Sequence, residues 1–455
     1  MTPRTLVALA LADTFLAGEG SYSALLAGAT WTLGAKPRWA SSLCRALLAR
    51  TGEHFHYFSR AELASIIVAH EAFAQAWLGP GARPAVRRYC LDLPRPTAAP
   101  DWRLALDLPS LPDQAALAAW LDTAPASLPW LADQWRNGGA SATALQHYHY
   151  RWLEKRSGGL RLLEVPKPQL RALQSRILRG MLDKVPPHPA AHGFRRAHNC
   201  VSHATLHVGQ RAVLKMDLKD FFTSIPAARI HALFTKLGYS DSVAGTLARL
   251  CTHRTPGSVV DAAGVPWPQR QILRERHLPQ GSPCSPALAN LCAFRLDLRL
   301  AALAQTLGAQ YSRYADDLVM SGGPDLERAG ERLSIQVAAI ALEEGFALNT
   351  RKTRLMRAAR RQRVTGIVVN ARTNIARAEF DALKATLHNC ARHGPRSQNR
   401  DARADFEQHL AGKVAYVSMV NPRRGLRLRQ LFERIAWCEE TSPTNDGRAA
   451  GTSGP

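Results

Sequence analysis

Two short acidic clusters stand where acids are rare. Asp217 and Asp220 lie in LKMDLKDFFTSI, and Asp316 and Asp317 lie in RYADDLVMSG. Each cluster follows or interrupts an apolar strand pattern, a setting in which Asp is depleted. A carboxylate pair inside such a hairpin is costly unless its charge is neutralised. A divalent cation would do this. Mg²⁺ is hard, prefers oxygen ligands, and is usually held by one or two carboxylates together with substrate phosphates. Two such ions about 3.5–4 Å apart can hold the attacking and leaving oxygens of a phosphoryl transfer. The plainer reading of Asp316-Asp317 is a surface turn. Asp217, ninety-nine residues upstream at the end of another strand, weighs against it. Adjacent strand residues point to opposite faces. One of Asp316 and Asp317 should therefore be the better ligand, with the tight turn deciding which.

Several elements must position these acids. RAVLKMDL (211–218) reads as a strand and QYSRYADDLVMSG (310–322) as a hairpin. DLERAGERLSIQVAAIALEEG reads as a helix closed by Gly345. YHYRWLEKRSGGLRLLEVP reads as two short strands around Ser157-Gly158-Gly159. LRALQSRILRGMLDKV follows as an amphipathic helix ended by Pro186-Pro187. VTGIVVN (364–370) reads as one strand. Upstream, SALLAGATWTL, ASSLCRALLART and AELASIIVAHEAFAQAWL carry helical spacing over roughly the first 80 residues. GPGARP breaks that pattern, and residues 91–113 read as a proline-rich linker. A second helical pattern, DQAALAAWLDTAPASLPWLADQWRN, runs from 113.

Composition narrows the class. The chain has 455 residues, about three domain-sized units. Hydrophobic residues make up 46%, enough for a sizeable core, which excludes bulk disorder. Lys plus Arg is 59 and Asp plus Glu is 36, so the net charge is +23. That charge predicts a polyanionic partner, a nucleic acid or an anionic surface. No window reaches the 18 consecutive apolar residues of a membrane span. The start carries Arg4 and a short apolar run, but Asp13 interrupts it. It reads as an alanine- and leucine-rich amphipathic helix in preference to a signal peptide. The eight cysteines are scattered without a CxxC pair, which suits a reducing, cytoplasmic setting.

Four motifs in order resemble one family. YADD resembles the Tyr-x-Asp-Asp motif of reverse transcriptases, and Asp217 stands where their first metal-binding aspartate stands. Asp220-Phe221-Phe222 continues that motif, and LPQGSPCSPALANL (278–291) is similar to their Leu-Pro-Gln-Gly segment. Any one would be weak; four at family spacing are strong. The resemblance covers roughly residues 110–440. It implies an α+β right-hand polymerase: fingers, a palm with an antiparallel sheet, and a helical thumb. The implied boundaries are a helical N-terminal extension and linker at 1–110, fingers and palm at 111–374, thumb at 375–440, and a polar tail at 441–455.

The resemblance also implies roles. Asp217, Asp316 and Asp317 would be catalytic and hold two Mg²⁺ ions, with Asp316 contributing more than Asp317. Phe222 matches the steric gate that excludes a 2′-OH; otherwise it is a core ring beside Phe221. Gln280 and Gly281 match the segment against the incoming nucleotide. Lys352, in LNTRKTRL, matches a lysine near the leaving pyrophosphate, where a cation stabilises developing charge; otherwise it is solvated. Arg161 occupies the fingers position that touches the triphosphate, or is a surface strand residue. Asp220 would support the ligands without binding metal itself.

Further features resemble the bacterial retron-type enzymes. Val364-Thr365-Gly366 matches their Val-Thr-Gly triplet, which is linked to recognition of a structured RNA. Their Asn-Ala-x-x-His pattern appears as His203-Ala204-Thr205-Leu206-His207, with His in the first place, and the resemblance implies that His207, like the triplet, contacts the RNA. GKVAYVSMVNPRRG (412–425) resembles their thumb segment. Residues 351–363 hold seven basic residues and no acid, Arg360 and Arg361 among them. They form either a phosphate-binding stripe or a solubilising face. The implied function is an RNA-directed DNA polymerase that copies a structured non-coding RNA into single-stranded DNA. Implied partners are that RNA, the RNA–DNA hybrid, deoxynucleoside triphosphates and an effector protein in antiphage defence, with no membrane. Rival readings are a defence-associated or Abi-like reverse transcriptase without such an RNA, and a degenerate RNA-binding scaffold. The intact acids argue against the scaffold. The first 110 residues would dock RNA or a partner, or stabilise the fingers.

Overall fold

A computed structural model describes residues 2–52, 55, 58, 60–78, 83–91, 105–133, 146–155 and 158–437. The chain divides into two compact units, one of residues 1–186 with 225–288 and one of residues 187–224 with 289–455.

The first unit begins with helices Pro3–Ala17, Tyr22–Leu33, Ala40–Thr51, Arg60–Ala69 and Glu71–Gln75. They enclose a core of Leu11, Phe15, Leu43, Leu47, Leu63, Ile67 and Phe73. The pattern over 61–78 is two helices, not one, because His70 takes an extended conformation between them. Most of the expected linker lies outside the described residues. Its end is packed: Leu111 is buried, and Tyr239 Oη donates to the Pro109 carbonyl at 3.2 Å. The pattern from 113 also breaks. Helix Gln114–Leu121 is capped by Asp113, stops at left-handed Asp122, and resumes after Pro125 as Leu128–Leu131. Strands β1 (Tyr148–Glu154) and β2 (Leu160–Pro166) pair antiparallel, Tyr148 opposite Pro166 and Glu154 opposite Leu160. Of the expected turn, Ser157 lies outside the described residues; Gly158 and Gly159 both have positive φ.

The second unit carries a four-stranded antiparallel sheet in the order β4-β5-β3-β6. Its strands are β3 (Ala212–Asp217), β4 (Gln310–Tyr314), β5 (Asp317–Gly322) and β6 (Arg354–Arg357). β3 and β5 are buried along almost their whole length, Val213, Leu214 and Met216 on one and Leu318, Val319 and Met320 on the other. Helix Pro324–Glu343 covers the face that bears Leu355, where Gly330 leaves no room for a side chain: a Cβ there would stand 2.7 Å from Leu355 Cδ2. The other face meets helix Cys200–Thr205 and a small hairpin of β7 (Arg363–Val364) and β8 (Ile367–Val368). The VTGIVVN stretch is therefore this hairpin and not one strand. Thr365 and Gly366 have φ of +46° and +86°, the two positive values of a type I′ turn. Helices Arg377–His393, Phe406–Val420 and Pro422–Phe432 complete the unit around Leu387, Leu410, Val414, Val417 and Leu428.

The last two of these helices touch through Gly425, where an added Cβ would overlap the Ser418 backbone. Backbone cannot step aside as a flexible side chain can. Gly425→Ala should destabilise this region by about 1–3 kcal/mol, the usual cost of overpacking. Thermal melting checks it; a melting temperature equal to the parent's would refute the contact.

Candidate active site

The hairpin β4–β5 closes on two residues. Tyr314 pairs with Asp317, so Ala315 and Asp316 make the turn. Ala315 takes φ +56°, the positive value that a type II′ turn needs at its first central position. Across the sheet Asp217 pairs with Asp317. Directly opposite residues of an antiparallel pair share a face, so the strand ends bring these two carboxylates together. Asp316 follows from the turn, and its carbonyl accepts from the Leu218 amide at 2.8 Å.

The electrostatics separate the three acids. Asp217 is buried, and Lys352 Nζ donates to both its oxygens at 2.9 and 3.0 Å. Asp317 accepts from Lys215 Nζ at 2.9 Å. Asp316 has no such partner lysine. Burial first, then the Asp217 and Asp317 charges, pushes its carboxyl above the usual range. As they stand, no three His, Cys, Asp or Glu side chains among the described residues converge closely enough to hold a metal. Two of the acids are turned toward lysines. The donor set nonetheless fits a hard divalent cation, which would relieve the charge crowding that holds Asp316 up.

Residues 153–369 match the reverse transcriptase (RNA-dependent DNA polymerase) family. The chain is 42% identical over 335 residues to the Retron Mx65 reverse transcriptase of Myxococcus xanthus, across 70% of this chain and 74% of that one. It is 33% identical to the Retron Mx162 reverse transcriptase of Myxococcus xanthus, across 72% and 68%. It is 30% identical to the Retron Ec86 reverse transcriptase of Escherichia coli, across 64% and 81%. The chain belongs to the retron-type reverse transcriptases. It is an RNA-directed DNA polymerase, and the four-stranded sheet is its palm.

The retron-type palm rests on a polar network that the motifs do not announce. Arg313, on β4, is fully buried. Its Nε and Nη2 donate to Asp297 at 2.8 and 2.7 Å, and its Nη1 donates to Asn290 Oδ1 at 2.9 Å and to the Ala315 carbonyl at 3.1 Å. The guanidinium also lies over the Phe221 ring. Arg313 thus holds the Ala315-Asp316 turn through the Ala315 carbonyl. The only cue in the sequence is an arginine in a strand otherwise fit for the core.

Other expected residues divide by location. Phe222 is half-buried beside Phe221, ring centroids 5.5 Å apart. In the first unit Arg161 is exposed on β2. Gln280 is half-buried there, and its carbonyl accepts from the Glu164 amide at 2.8 Å. Gly281 has φ +133°, and a Cβ on it would stand 2.7 Å from the Glu164 carbonyl oxygen, so only glycine fits. Buried His277 and Glu164 pair at 2.9 Å just before this segment.

Two expected RNA contacts do not reach the surface. His207 is fully buried and bridges Ser321 Oγ at 2.6 Å and Ser312 Oγ at 2.7 Å. It clamps strands β4 and β5 together instead. Val364 is also fully buried and packs in the core. Between them only the turn is open: Thr365 is half-buried with its hydroxyl donating to the Cys200 carbonyl, and Gly366 is exposed. Arg360 and Arg361 are exposed. His203, in the place of the usual Asn, is fully buried beside His207. Burial first, then neighbouring histidines, pushes His203 down to about 2. Burial likewise pushes His207 down to about 3 and His192 to about 4.

Three outcomes are expected. Asp297→Asn should cost about 3–5 kcal/mol, because it leaves Arg313 as an uncompensated buried charge; chemical denaturation checks it. Asp316→Asn should raise the melting temperature of the metal-free protein. Its folded pKa lies above the unfolded one, so the ionised acid costs stability at neutral pH. The gain should shrink as pH falls toward the unfolded carboxylate value. The three depressed histidines act in the opposite direction. Their stability is present above the unfolded histidine value and is lost as pH falls below it. His203→Asn should remove roughly one proton from the pH slope of unfolding between pH 6 and 4.

Proposed function

We propose that this enzyme copies part of one structured non-coding RNA into single-stranded DNA, using two Mg²⁺ ions. The observation that carries the chemistry is the carboxylate set: Asp217 opposite Asp317, with Asp316 crowded and held above its ordinary pKa. A primer hydroxyl attacks the nucleotide α-phosphate and pyrophosphate leaves; in a retron the first hydroxyl is a 2′-OH of the RNA. Bound Mg²⁺ supplies charge stabilisation to the attacking and leaving oxygens. Asp217, Asp316 and Asp317 hold the ions. Lys352, now on Asp217, is the cation available to the leaving pyrophosphate. Phe222 excludes a ribose 2′-OH. Arg161, Gln280 and Gly281 bind the incoming deoxynucleoside triphosphate.

The cognate RNA contacts the Thr365-Gly366 turn and the exposed Arg360 and Arg361. The basic run from 351 to 363 supplies the phosphate contacts. The RNA is read mainly by shape, phosphate and 2′-OH, in keeping with the net charge of +23. The polymerase works in the cytoplasm in antiphage defence, with an effector protein as partner. No helix among the described residues is long and apolar enough to cross a membrane.

The test is expression with native flanking DNA. After RNase treatment a short discrete single-stranded DNA should appear, and Asp316→Ala with Asp317→Ala should abolish it. No band, with the purified protein still extending oligo(dT) on poly(rA), would keep the polymerase and remove the dedicated RNA. In the extension assay Asp316→Asn should lose at least about a hundredfold in rate. Arg360→Gln with Arg361→Gln should lower the salt slope of RNA binding by about 1.4–1.8. An unchanged slope would show that these two arginines touch no phosphate.

A further inference from the structure

One large apolar side chain near the catalytic turn is half exposed and held on a strained backbone. Phe194 is 50% exposed and takes φ +59°. A bulky residue with positive φ is a conformational outlier, and such strain persists only where the surroundings impose it. Here they do. The Gly193 carbonyl accepts from buried Asn290 Nδ2 at 2.9 Å, and the His192 amide donates to the Arg313 carbonyl at 2.8 Å. Gly193 lies so close to the catalytic turn that a Cβ on it would stand 2.6 Å from the Ala315 amide nitrogen. The segment immediately before Phe194 is thereby fixed to the turn that carries Asp316.

The imposed conformation puts the ring beside the reaction centre. Its centroid is 5.9 Å from Phe222 and 6.5 Å from Tyr314. A ring held there for core packing alone would be buried. An exposed aromatic face at a site that handles nucleotides has an obvious complement, the flat apolar part of a nucleoside. We propose that Phe194 forms a second wall of the nucleotide pocket, its ring packing against the nucleoside of the incoming deoxynucleoside triphosphate next to Phe222. This rests on the polymerase reading and on the role proposed for Phe222.

The experiment is steady-state incorporation of dTTP on poly(rA)/oligo(dT) by the full chain, with melting temperatures measured in parallel. Phe194→Ala and Phe194→Gly should each raise KM for dTTP about tenfold or more, the range that loss of one stacked ring produces, with a smaller change in kcat. Phe194→Tyr should return most of the lost affinity. Phe194→Gly separates folding from function. Glycine adopts this φ without strain, so its melting temperature should stay within a few degrees of the parent's while KM rises. An unchanged KM in the Gly variant would overturn the proposal. So would an unchanged KM with weaker binding of the template–primer, which would place the ring on the duplex. Failure of the unmodified enzyme to incorporate dTTP would instead strike the polymerase reading itself, independently of Phe194.

Discussion

The catalytic turn stands on a buried arginine. The Arg313–Asp297 pair is completely removed from solvent, a placement whose desolvation cost can exceed the attraction between the charges. Geometry decides the balance. The guanidinium reaches both Asp297 oxygens, Asn290 and the Ala315 carbonyl, and its face lies over Phe221. Asp297 accepts a further bond from Tyr311 Oη at 2.8 Å. Burial makes Tyr311 hard to ionise, so its hydroxyl stays a donor. Such a network is worth its cost only when nearly every member is satisfied. Here it joins helix Phe294–Thr306, strand β4, the catalytic turn and, through Asn290, the loop at Gly193. One side chain thus fixes the loop at Gly193 against the consecutive helix, strand and turn of residues 294–316.

Above that network the charges are deliberately unbalanced. Three carboxylates crowd one end of the sheet, and two lysines answer two of them. The remaining acid, Asp316, is the one whose ionisation the fold resists. On the proposed mechanism this imbalance is required, because ion pairs that fully neutralised the site would compete with the cations and the triphosphate. Lys352 illustrates the compromise. Its side chain is partly exposed while bonded to Asp217, so it can exchange a carboxylate for a phosphate at little desolvation cost.

The sequence made the chemistry legible and hid the support. Asp217, Asp316 and Asp317 stood out because acids in apolar strands need a reason, and the sheet register brings two of them face to face. The retron-type identity was carried by short motifs whose spacing survives any error in element boundaries. His207 and Val364 lie in the interior and not at an RNA-facing surface: a motif records that a position is constrained, not which constraint acts. His207 is held between two serines and Val364 by a core. The Val-Thr-Gly stretch reads as one strand in sequence because its apolar residues run on through a turn that only φ values reveal. Arg313 escaped notice because alternation predicts which face a strand residue takes, but not that a charge on the buried face will find Asp297, sixteen residues earlier on a helix.

Backbone strain in the second unit follows the same logic. Phe194, Ala197, Asp220, Ala315, Thr365 and Ala402 all have positive φ without being glycine. Each left-handed residue costs about 1–2 kcal/mol, so six of them amount to a sum comparable with the whole stability of a domain. Three of them are tied to the catalytic turn or its approaches. Ala315 is that turn, Asp220 follows the first aspartate, and Phe194 follows the glycine packed against Ala315. Strain of this kind relaxes if its surroundings can move. The Arg313 network and the His207 clamp hold the hairpin from two sides, one through the Ala315 carbonyl and the other through Ser312 and Ser321. The buried polar groups and the strained turns are therefore one system: the bonds to the Ala315 carbonyl, Ser312 and Ser321 hold in place a backbone that would otherwise relax, and that backbone fixes where Asp316 and Phe194 stand.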